Sequence, residues 1–395
     1  MKIFSSLLFR LFVALAAGIV LGLLANAAVI QVVATVQALL SQLIMFCIPL
    51  IILGFIAPAI SKMGANASKL LGVSLCIAYL SSVGAALLST AAGYGIVPFM
   101  NIVDTGADSK TIPAIIFQLA IPQIMPVMSA LVLAILTGLA AAWNKTVTFI
   151  TLLDEFQKIV ISIVKMVVIP ILPFFIGCTF ASLAYRGAIV NLLPVFLIVV
   201  IVVIVGHFIW MTLLYTIAAI YSKKNPFEVI RHYGPAYLTA MGTMSSAATL
   251  SVALQCANKS KALRKDMVSF GIPLFSNIHL CGSVLTLTFF VMVVSQVLYG
   301  QLPSVSSMIL FCALLGIFGI AAPGVPGGTV MASLGLITTV LGFDATGTAL
   351  VLTIFAIQDS FGTACNITGD GALTLILTGY TEKHNIAEQK MEIAL

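Results

Sequence analysis

Apolar runs of about 20 residues recur along almost the whole sequence, and this feature limits the possible fold more than any other. The hydrocarbon core of a bilayer is about 30 Å thick, so a run of this length is what one helix needs to cross it. The 395 residues are 61% hydrophobic and only 8% charged, whereas soluble domains are about a quarter charged. A membrane β-barrel would show weak alternating segments of about 10 residues instead. The chain is therefore predicted to be an all-α polytopic membrane protein.

The basic residues lie mainly at the ends of the apolar runs and predict an orientation. The first part of the sequence fits spans near 7–26, 36–61, 70–99, 112–143, 156–184 and 189–221. With a cytoplasmic N-terminus, most lysines and arginines at the span ends fall inside, as the positive-inside rule requires. We therefore expect a multi-pass protein of the cell (inner) membrane with both termini in the cytoplasm. The net charge of +6 reflects this orientation and does not indicate a nucleic-acid partner.

Two segments in the second half are predicted to be re-entrant hairpins. Residues 226–262 have small and hydroxyl-bearing residues at their centre and basic residues on both sides, so a simple crossing would place one basic cluster outside. Residues 306–341 are interrupted by Pro323, Gly324, Pro326, Gly327 and Gly328. Such a run breaks a helix. Two interrupted segments on either side of one helix, predicted here at 266–298, indicate a transporter site built from helix ends.

The last predicted helix, about 344–378, carries four polar residues in one narrow stripe. On a helix that turns 100° per residue, Asp359, Thr363, Asn366 and Asp370 fall within about 60° of one another. Ionisable residues inside a membrane face a cavity or a partner. Hydrogen bonding between helices explains Thr363 equally well. Two carboxylates with no Lys or Arg in the predicted helix instead require a cation, a proton or a ligand amine.

Other polar residues in apolar surroundings are less specific. His279 and Asn277 lie in the predicted helix between the two hairpins, and a structural role fits them as well as a functional one. His207 and Trp210 are interpreted as packing residues.

Three motifs in the second half of the sequence carry a family resemblance. These are "MSSAATL" at 244–250, "APGVPGG" at 322–328 and "DSFGTACNITGD" at 359–370. In this order they resemble the dicarboxylate/amino acid:cation symporter family, which includes the glutamate transporters. The spacing Asp-x-x-x-Thr-x-x-Asn-x-x-Gly-Asp of the last helix is matched in full. The resemblance is specific over about 226–378, and the chain is identified as a divergent member.

The resemblance implies a fold of eight transmembrane helices plus two re-entrant helical hairpins, working as an elevator-type transporter in a homotrimer. Residues 1–68 would form scaffold helices 1–2, residues 69–111 transport-domain helix 3, and residues 112–188 scaffold helices 4–5. Residues 189–395 would form the rest of the transport domain: helix 6, hairpin 1 at about 226–262, helix 7, hairpin 2 at about 306–341, and helix 8.

The resemblance also implies a site, residue by residue. Asp359 would hold a substrate amino group and Asn366 an α-carboxylate. The remaining substrate-binding residues would be Ser245, Ser246, Ser283, Val325, Gly327, Gly362 and Thr363. A coupling cation, Na⁺ or H⁺, would lie at Asp370, Asn366, Asn277 and His279. Carboxylate and carbonyl oxygens suit Na⁺ chemically.

Three departures from the family pattern bear on the substrate and the ions. Gly362 stands where members with acidic substrates have an arginine. The run from His279 to Ser283 replaces Asn-Met-Asp-Gly-Thr, so the carboxylate of one sodium site is missing at Cys281. Ser251 replaces a proline after the first tip. We therefore expect a small, neutral amino acid as substrate and fewer Na⁺ ions per transport cycle.

Other function classes fit the residues less well. An intramembrane aspartyl protease would have its two aspartates on separate helices, and a serine protease would show G-x-S-x-G around its nucleophile. The chain is therefore not expected to be an enzyme or to need an organic cofactor. A proton-coupled carrier of a small organic acid and an ion channel of the same architecture remain open alternatives. The expected partners are a small-molecule substrate, membrane lipid and further copies of the chain, without nucleic acid.

Overall fold

The computed structural model describes residues 7–65, 69–100, 110–187, 189–322, 324 and 326–387. All regular structure in these residues is helical, which confirms the all-α prediction. The first half forms α1 (Leu7–Leu24), α2 (Ala27–Ala65), α3 (Lys69–Ile96), α4 (Val127–Asn144), α5 (Val147–Ile163), α6 (Ile169–Tyr185) and α7 (Ile189–Ser222). A 3₁₀ turn at Val97–Phe99 follows α3, and a π-helical segment at Val164–Val168 joins α5 to α6.

The second half is built from shorter helices and one long one. These are α8 (Phe227–Ile230), α9 (Gly234–Thr243), α10 (Ser246–Asn258), α11 (Lys265–Ile278), α12 (Cys281–Tyr299), α13 (Val305–Ala321), α14 (Gly328–Thr339) and α15 (Ala345–Lys383). Across the described residues, six helical stretches are long and apolar enough to cross a membrane. This number and the apolar character of the helices agree with a multi-pass membrane protein.

The predicted span at 112–143 is wrong over its first half. Residues 110–126 are not helical, and α4 begins only at Val127. Pro113, Pro122 and Pro126 explain the difference, because proline lacks the N–H that a helix interior needs. The segment instead lies against α2, where the Ile116 N–H donates to Thr35 Oγ1 at 3.0 Å.

The helix predicted at 266–298 is also wrong, because it is broken in the middle. α11 ends at Ile278, and His279 takes an extended conformation with φ −120° and ψ 104°. α12 then begins at Cys281. Neither glycine nor proline occupies the break, so no local signal marks it; the cause is the set of side-chain contacts described below.

Both predicted hairpins show the helix–break–helix pattern. α9 ends at Thr243 and is followed by Met244, which has φ 53°. Ser245 then caps α10 by accepting a hydrogen bond from the Ala248 N–H at 3.2 Å. In the second hairpin α13 ends at Ala321 and α14 begins after Gly327, whose φ of 72° is the left-handed conformation that glycine adopts most easily.

α15 runs unbroken for 39 residues through the interior, and almost all of it is buried. Asp344 caps its first turn by accepting the Gly347 N–H at 2.8 Å. The helix packs mainly against α12, α7, α9 and α11. The polar stripe of α15 therefore faces other helices of the same chain and has little contact with lipid.

α1 packs on α6 through small residues. Gly18 approaches the backbone of Gly177, and Gly22 approaches Ala181, so closely that a Cβ at either glycine would clash. Residue numbers rise together along both helices, so the two run in parallel. This contact gives α1 and α6 a fixed register.

Candidate functional site

The tips of the two hairpins touch each other. The Ser245 hydroxyl donates to the Gly324 carbonyl oxygen at 2.7 Å, and the Ala247 N–H approaches the same oxygen at 3.4 Å. A Cβ placed on Gly324 would lie 3.3 Å from Ser246 Cβ. The tips are therefore closed against one another in this structure.

Asp359 lies beneath the second tip and is 4% exposed. Its Oδ2 accepts a hydrogen bond from the Gly327 N–H at 2.7 Å, at the N-terminal end of α14. A helix N-terminus carries partial positive charge, which favours a carboxylate there. Among the described residues Oδ1 has no hydrogen-bond partner. One carboxylate oxygen is therefore free to accept from a ligand.

The Thr363 side chain lies one turn further along α15. Its hydroxyl donates to the Asp359 carbonyl oxygen at 2.8 Å. The hydroxyl oxygen keeps its capacity to accept a hydrogen bond.

Asn366 binds the N-terminus of α12. Its Oδ1 accepts from the N–H groups of Gly282 at 2.7 Å and Ser283 at 3.2 Å, and its Nδ2 donates to Ser283 Oγ at 3.0 Å. The side chain thus satisfies two backbone donors that the helix itself leaves unpaired. A carboxamide has two N–H donors, so one remains for another acceptor.

Asp370 belongs to a buried chain of hydrogen bonds that joins three helical elements. Asp370 Oδ1 is 2.9 Å from His279 Nδ1, and His279 Nε2 is 2.9 Å from Ser81 Oγ on α3. A carboxylate only accepts, so with Asp370 ionised the Nδ1 nitrogen carries the shared hydrogen. Asp370 Oδ2 is buried and has no partner among the described residues.

The structure brings only some of the expected cation ligands together. Asn277 is exposed, and its Nδ2 donates to the Pro273 carbonyl oxygen at 2.8 Å, so it is not brought to the cluster. The Oδ1 of Asn366 already accepts two N–H groups. Within the described ranges no group of three or more His, Cys, Asp and Glu residues is arranged for a metal ion. Among these expected ligands, as far as the structure describes them, Asp370 Oδ2 is the carboxylate oxygen that has no hydrogen-bond partner.

Gly362 lies at the crossing of α15 and α12. A Cβ at Gly362 would be 3.2 Å from Ser283 Cα and 3.3 Å from both its N and its Oγ. A Cβ at Gly282, on the other side of the crossing, would be 2.5 Å from Cys365 Cβ. A Cβ at 362 would therefore be in tight contact with Ser283, and a side chain there requires the α12 backbone to move by a few tenths of an ångström.

Two residues of this region were missed or misread from the sequence. His207, interpreted as packing, is 1% exposed, and its Nε2 lies 3.0 Å from the Gly282 carbonyl oxygen. A carbonyl accepts, so Nε2 is the donor. The Tyr215 hydroxyl donates to the Thr368 carbonyl oxygen at 2.8 Å. Histidine is rare in an apolar helix, and this rarity is the sequence signal that indicates a role for His207.

Pro323 and Val325, predicted in the second tip, lie outside the described residues.

The sequence of the chain matches a known protein family. Residues 7–380 match the model of the sodium:dicarboxylate symporter family. Excitatory amino acid transporter 2 of Mus musculus is 26% identical over 227 residues, which are 55% of this chain and 39% of that protein.

Two further relatives are named for other substrates. The serine/threonine transporter SstT of Bifidobacterium adolescentis is 30% identical over 175 residues, covering 42% of this chain and 40% of that protein. Neutral amino acid transporter B(0) of Mus musculus is 24% identical over 178 residues, covering 44% and 31% respectively. In each of these three comparisons, the match spans two fifths or less of the relative's length. The family match, in contrast, covers nearly the whole chain: this protein belongs to the sodium:dicarboxylate symporter family, whose members are membrane transporters and not enzymes.

Proposed function

We propose that this protein is a secondary active symporter that moves a small, neutral amino acid across the cell membrane together with Na⁺. The observation that carries the proposal is the buried Asp359 carboxylate, with one oxygen free beneath the closed hairpin tips. A carboxylate in this setting needs a cationic partner. The ammonium group of an amino acid supplies the positive charge and the N–H donors together.

The α-carboxylate of the substrate is proposed to lie toward the N-terminus of α12. The free N–H of Asn366 and the hydroxyl of Ser283 are the donors there. The positive end of the α12 dipole adds to the attraction for an anion. Thr363, between Asp359 and Asn366 along α15, offers an acceptor oxygen to the ammonium.

The charge of the site supports a neutral side chain. No Lys or Arg occurs in the tip segments 244–248 and 322–328, or in α15 before Lys383. The position where an arginine would be expected is Gly362, which packs tightly against Ser283 and carries no charge. A second substrate carboxylate would be buried without a partner, at a cost of several kcal/mol. The similarity to a serine/threonine transporter and to a neutral amino acid transporter supports this proposal.

We propose Na⁺ as the coupling ion, with fewer ions per cycle than in relatives that have a carboxylate at the position of Cys281. His279 occupies one oxygen of Asp370, and Cys281 contributes a buried thiol. Asp370 Oδ2 is then the oxygen that would meet a cation. A proton is the alternative coupling ion. Uptake measured under separate Na⁺ and proton gradients distinguishes the two.

The proposed movement is that of an elevator within a homotrimer of eight-span subunits. The scaffold would consist of α1, α2 and α4–α6, and the moving domain of α3 and α7–α15. The hairpins 226–262 and 306–341 would be re-entrant and would act as gates. The contact between the tips supports this role, because opening would break the two hydrogen bonds that Ser245 Oγ and the Ala247 N–H donate to the Gly324 carbonyl oxygen.

Uptake by purified protein in liposomes tests the proposal. We expect radiolabelled serine to accumulate under an inward Na⁺ gradient, to exchange with unlabelled serine inside, and to resist competition by glutamate. Reversal potentials then count the ions. Tight glutamate uptake without a response to serine would contradict the neutral substrate. Accumulation driven by a proton gradient without Na⁺ would contradict sodium coupling, and flux without counterflow would indicate a channel.

A further inference from the structure

A cleft of about 800 Å³ lies on the outer side of the α1–α6 pair, away from the candidate substrate site. Most of its lining is apolar or small, including Val13, Ala17, Leu21 and Phe174. Val13 is 50% exposed and Phe174 71% exposed, so the cleft opens toward the surroundings of the protein, which for these apolar helices is lipid. The cleft is therefore accessible from the membrane.

Two cationic residues also line this cleft. Arg10 lies near the start of α1, and Lys165 lies in the π-helical segment that precedes α6. π-Helical turns are rare and occur frequently at functional sites. None of the lining residues is acidic. Neither cation forms an ion pair with any residue that the structure describes.

The parallel packing of α1 and α6 places both cations at the same end of the cleft. Gly18 lies beside Gly177, and Gly22 beside Ala181, so lower residue numbers on both helices lie toward that end. Along α1 the distance from Arg10 to Leu21 is about 16 Å at 1.5 Å per residue. This is roughly half the thickness of a bilayer core. The cleft thus has a cationic end and an apolar body that matches one leaflet in length.

We propose that this cleft binds an anionic phospholipid, with the phosphate at Arg10 and Lys165 and an acyl chain along α1 and α6. In a bilayer the phosphate of such a lipid lies at the surface and its acyl chain extends toward the centre. The cationic end and the apolar body of the cleft follow the same order. Under the orientation predicted from the basic residues, the cationic end faces the cytoplasm, whose leaflet carries anionic lipid. If a second copy of the chain occupied the cleft instead, it would have to place an acidic side chain beside Arg10 and Lys165. Glu155 of α5 lies outside the cleft lining and pairs with Lys158 on its own helix at 2.6 Å.

Native mass spectrometry of the full-length protein in detergent tests the assignment, with dioleoyl phosphatidylglycerol and dioleoyl phosphatidylcholine as probes. We expect the wild type to retain phosphatidylglycerol in preference to phosphatidylcholine. The double variant Arg10→Gln, Lys165→Gln should lose affinity for phosphatidylglycerol by about fivefold for each cation removed. The matched control is Lys145→Gln, Lys223→Gln, which removes two exposed cations outside the cleft and should retain both lipids like the wild type.

A second measurement uses the wild-type protein, so its outcome does not depend on whether the double variant folds. A phosphatidylglycerol with a diazirine in its acyl chain should label peptides that contain Val13–Leu21 and Phe174–Cys178. Equal retention of the two lipids, unchanged phosphatidylglycerol binding in the cleft variant, or labelling only elsewhere would overturn the proposal. Cross-linking of these peptides to another copy of the chain would assign the cleft to a subunit interface instead.

Discussion

His279 and Asp370 form a completely buried pair, with Nδ1 of the imidazole 2.9 Å from Oδ1 of the carboxylate. The pair joins the break between α11 and α12 to the middle of α15, and the bond from His279 to Ser81 extends the connection to α3. Each side chain is the hydrogen-bond partner of a buried polar group on the other, and removing either one leaves that group unpaired in the interior. This mutual dependence can be measured.

A double-mutant cycle on His279→Ala and Asp370→Ala should show strong coupling. Each single variant leaves one buried polar group without its partner, whereas the double variant removes both. We expect the double variant to be more stable than additivity predicts by about 1–3 kcal/mol. The measurement is unfolding of the purified protein in detergent. Asp344→Ala, which removes a cap at the start of α15, should combine additively with His279→Ala. Additivity of the first pair would refute the proposed dependence.

A disulfide between the hairpin tips should block transport. In a background without the seven native cysteines, Ser246→Cys with Gly324→Cys places two Cβ atoms about 3.3 Å apart. This is close to the range of roughly 3.5–4.5 Å found in disulfides. We expect oxidation to abolish serine uptake and a reductant to restore it, with each single cysteine variant insensitive. Full uptake by the cross-linked protein would show that the tips do not separate during the cycle.

Gly362→Ala should destabilise the protein by about 1–3 kcal/mol, because the added methyl meets the backbone of Ser283. Gly95→Ala is the matched control: a Cβ there meets nothing within 4 Å. In a helix this exchange is neutral or favourable by up to about 1 kcal/mol. Gly362→Arg should lower the folded yield without conferring glutamate uptake. A well-folded Gly362→Arg protein that transports glutamate would contradict the packing described at this crossing.

Asp359→Asn should raise the KM for serine by roughly 10- to 100-fold, the equivalent of one hydrogen bond to a charged group. The carboxamide oxygen can still accept the Gly327 N–H, so the closed tip is preserved while the negative charge is lost. Asp344→Asn changes a carboxylate of the same helix outside the site and should leave KM unchanged. An unaltered KM in Asp359→Asn would remove this residue from the substrate site.

The parts of the fold that were predicted correctly carry their signal locally. The helical period placed four polar residues on one stripe of α15, and the structure buries all four. Proline and glycine marked the second break, and small residues between basic clusters marked the first. In the second segment the prolines and glycines exclude a continuous helix, whereas in the first the flanking charges argue against a simple membrane crossing.

The parts that could not be predicted depend on contacts between distant segments. The extended conformation at His279 follows from bonds to Ser81 and Asp370, 198 and 91 positions away. The role of His207 depends on the Gly282 carbonyl oxygen, 75 positions further along. The three prolines of residues 110–126 disfavour a helix there. The prediction gave more weight to the hydrophobicity of the segment. Asn277 was assigned by its place in the helix between the hairpins, and in the structure its side chain is exposed.

The polar stripe of α15 has a consequence for how the chain enters the membrane during synthesis. α15 has the lowest mean hydropathy of the six membrane-length helices, and an aspartate near the centre of an inserting helix costs about 2.5–3.5 kcal/mol. The partners of its polar side chains lie at the break between α11 and α12, at the start of α12 and in the second hairpin, all synthesised earlier. Insertion of α15 is therefore coupled to its docking on a preassembled bundle, and variants that remove those earlier partners should leave α15 outside the bilayer as a substrate for quality-control proteolysis.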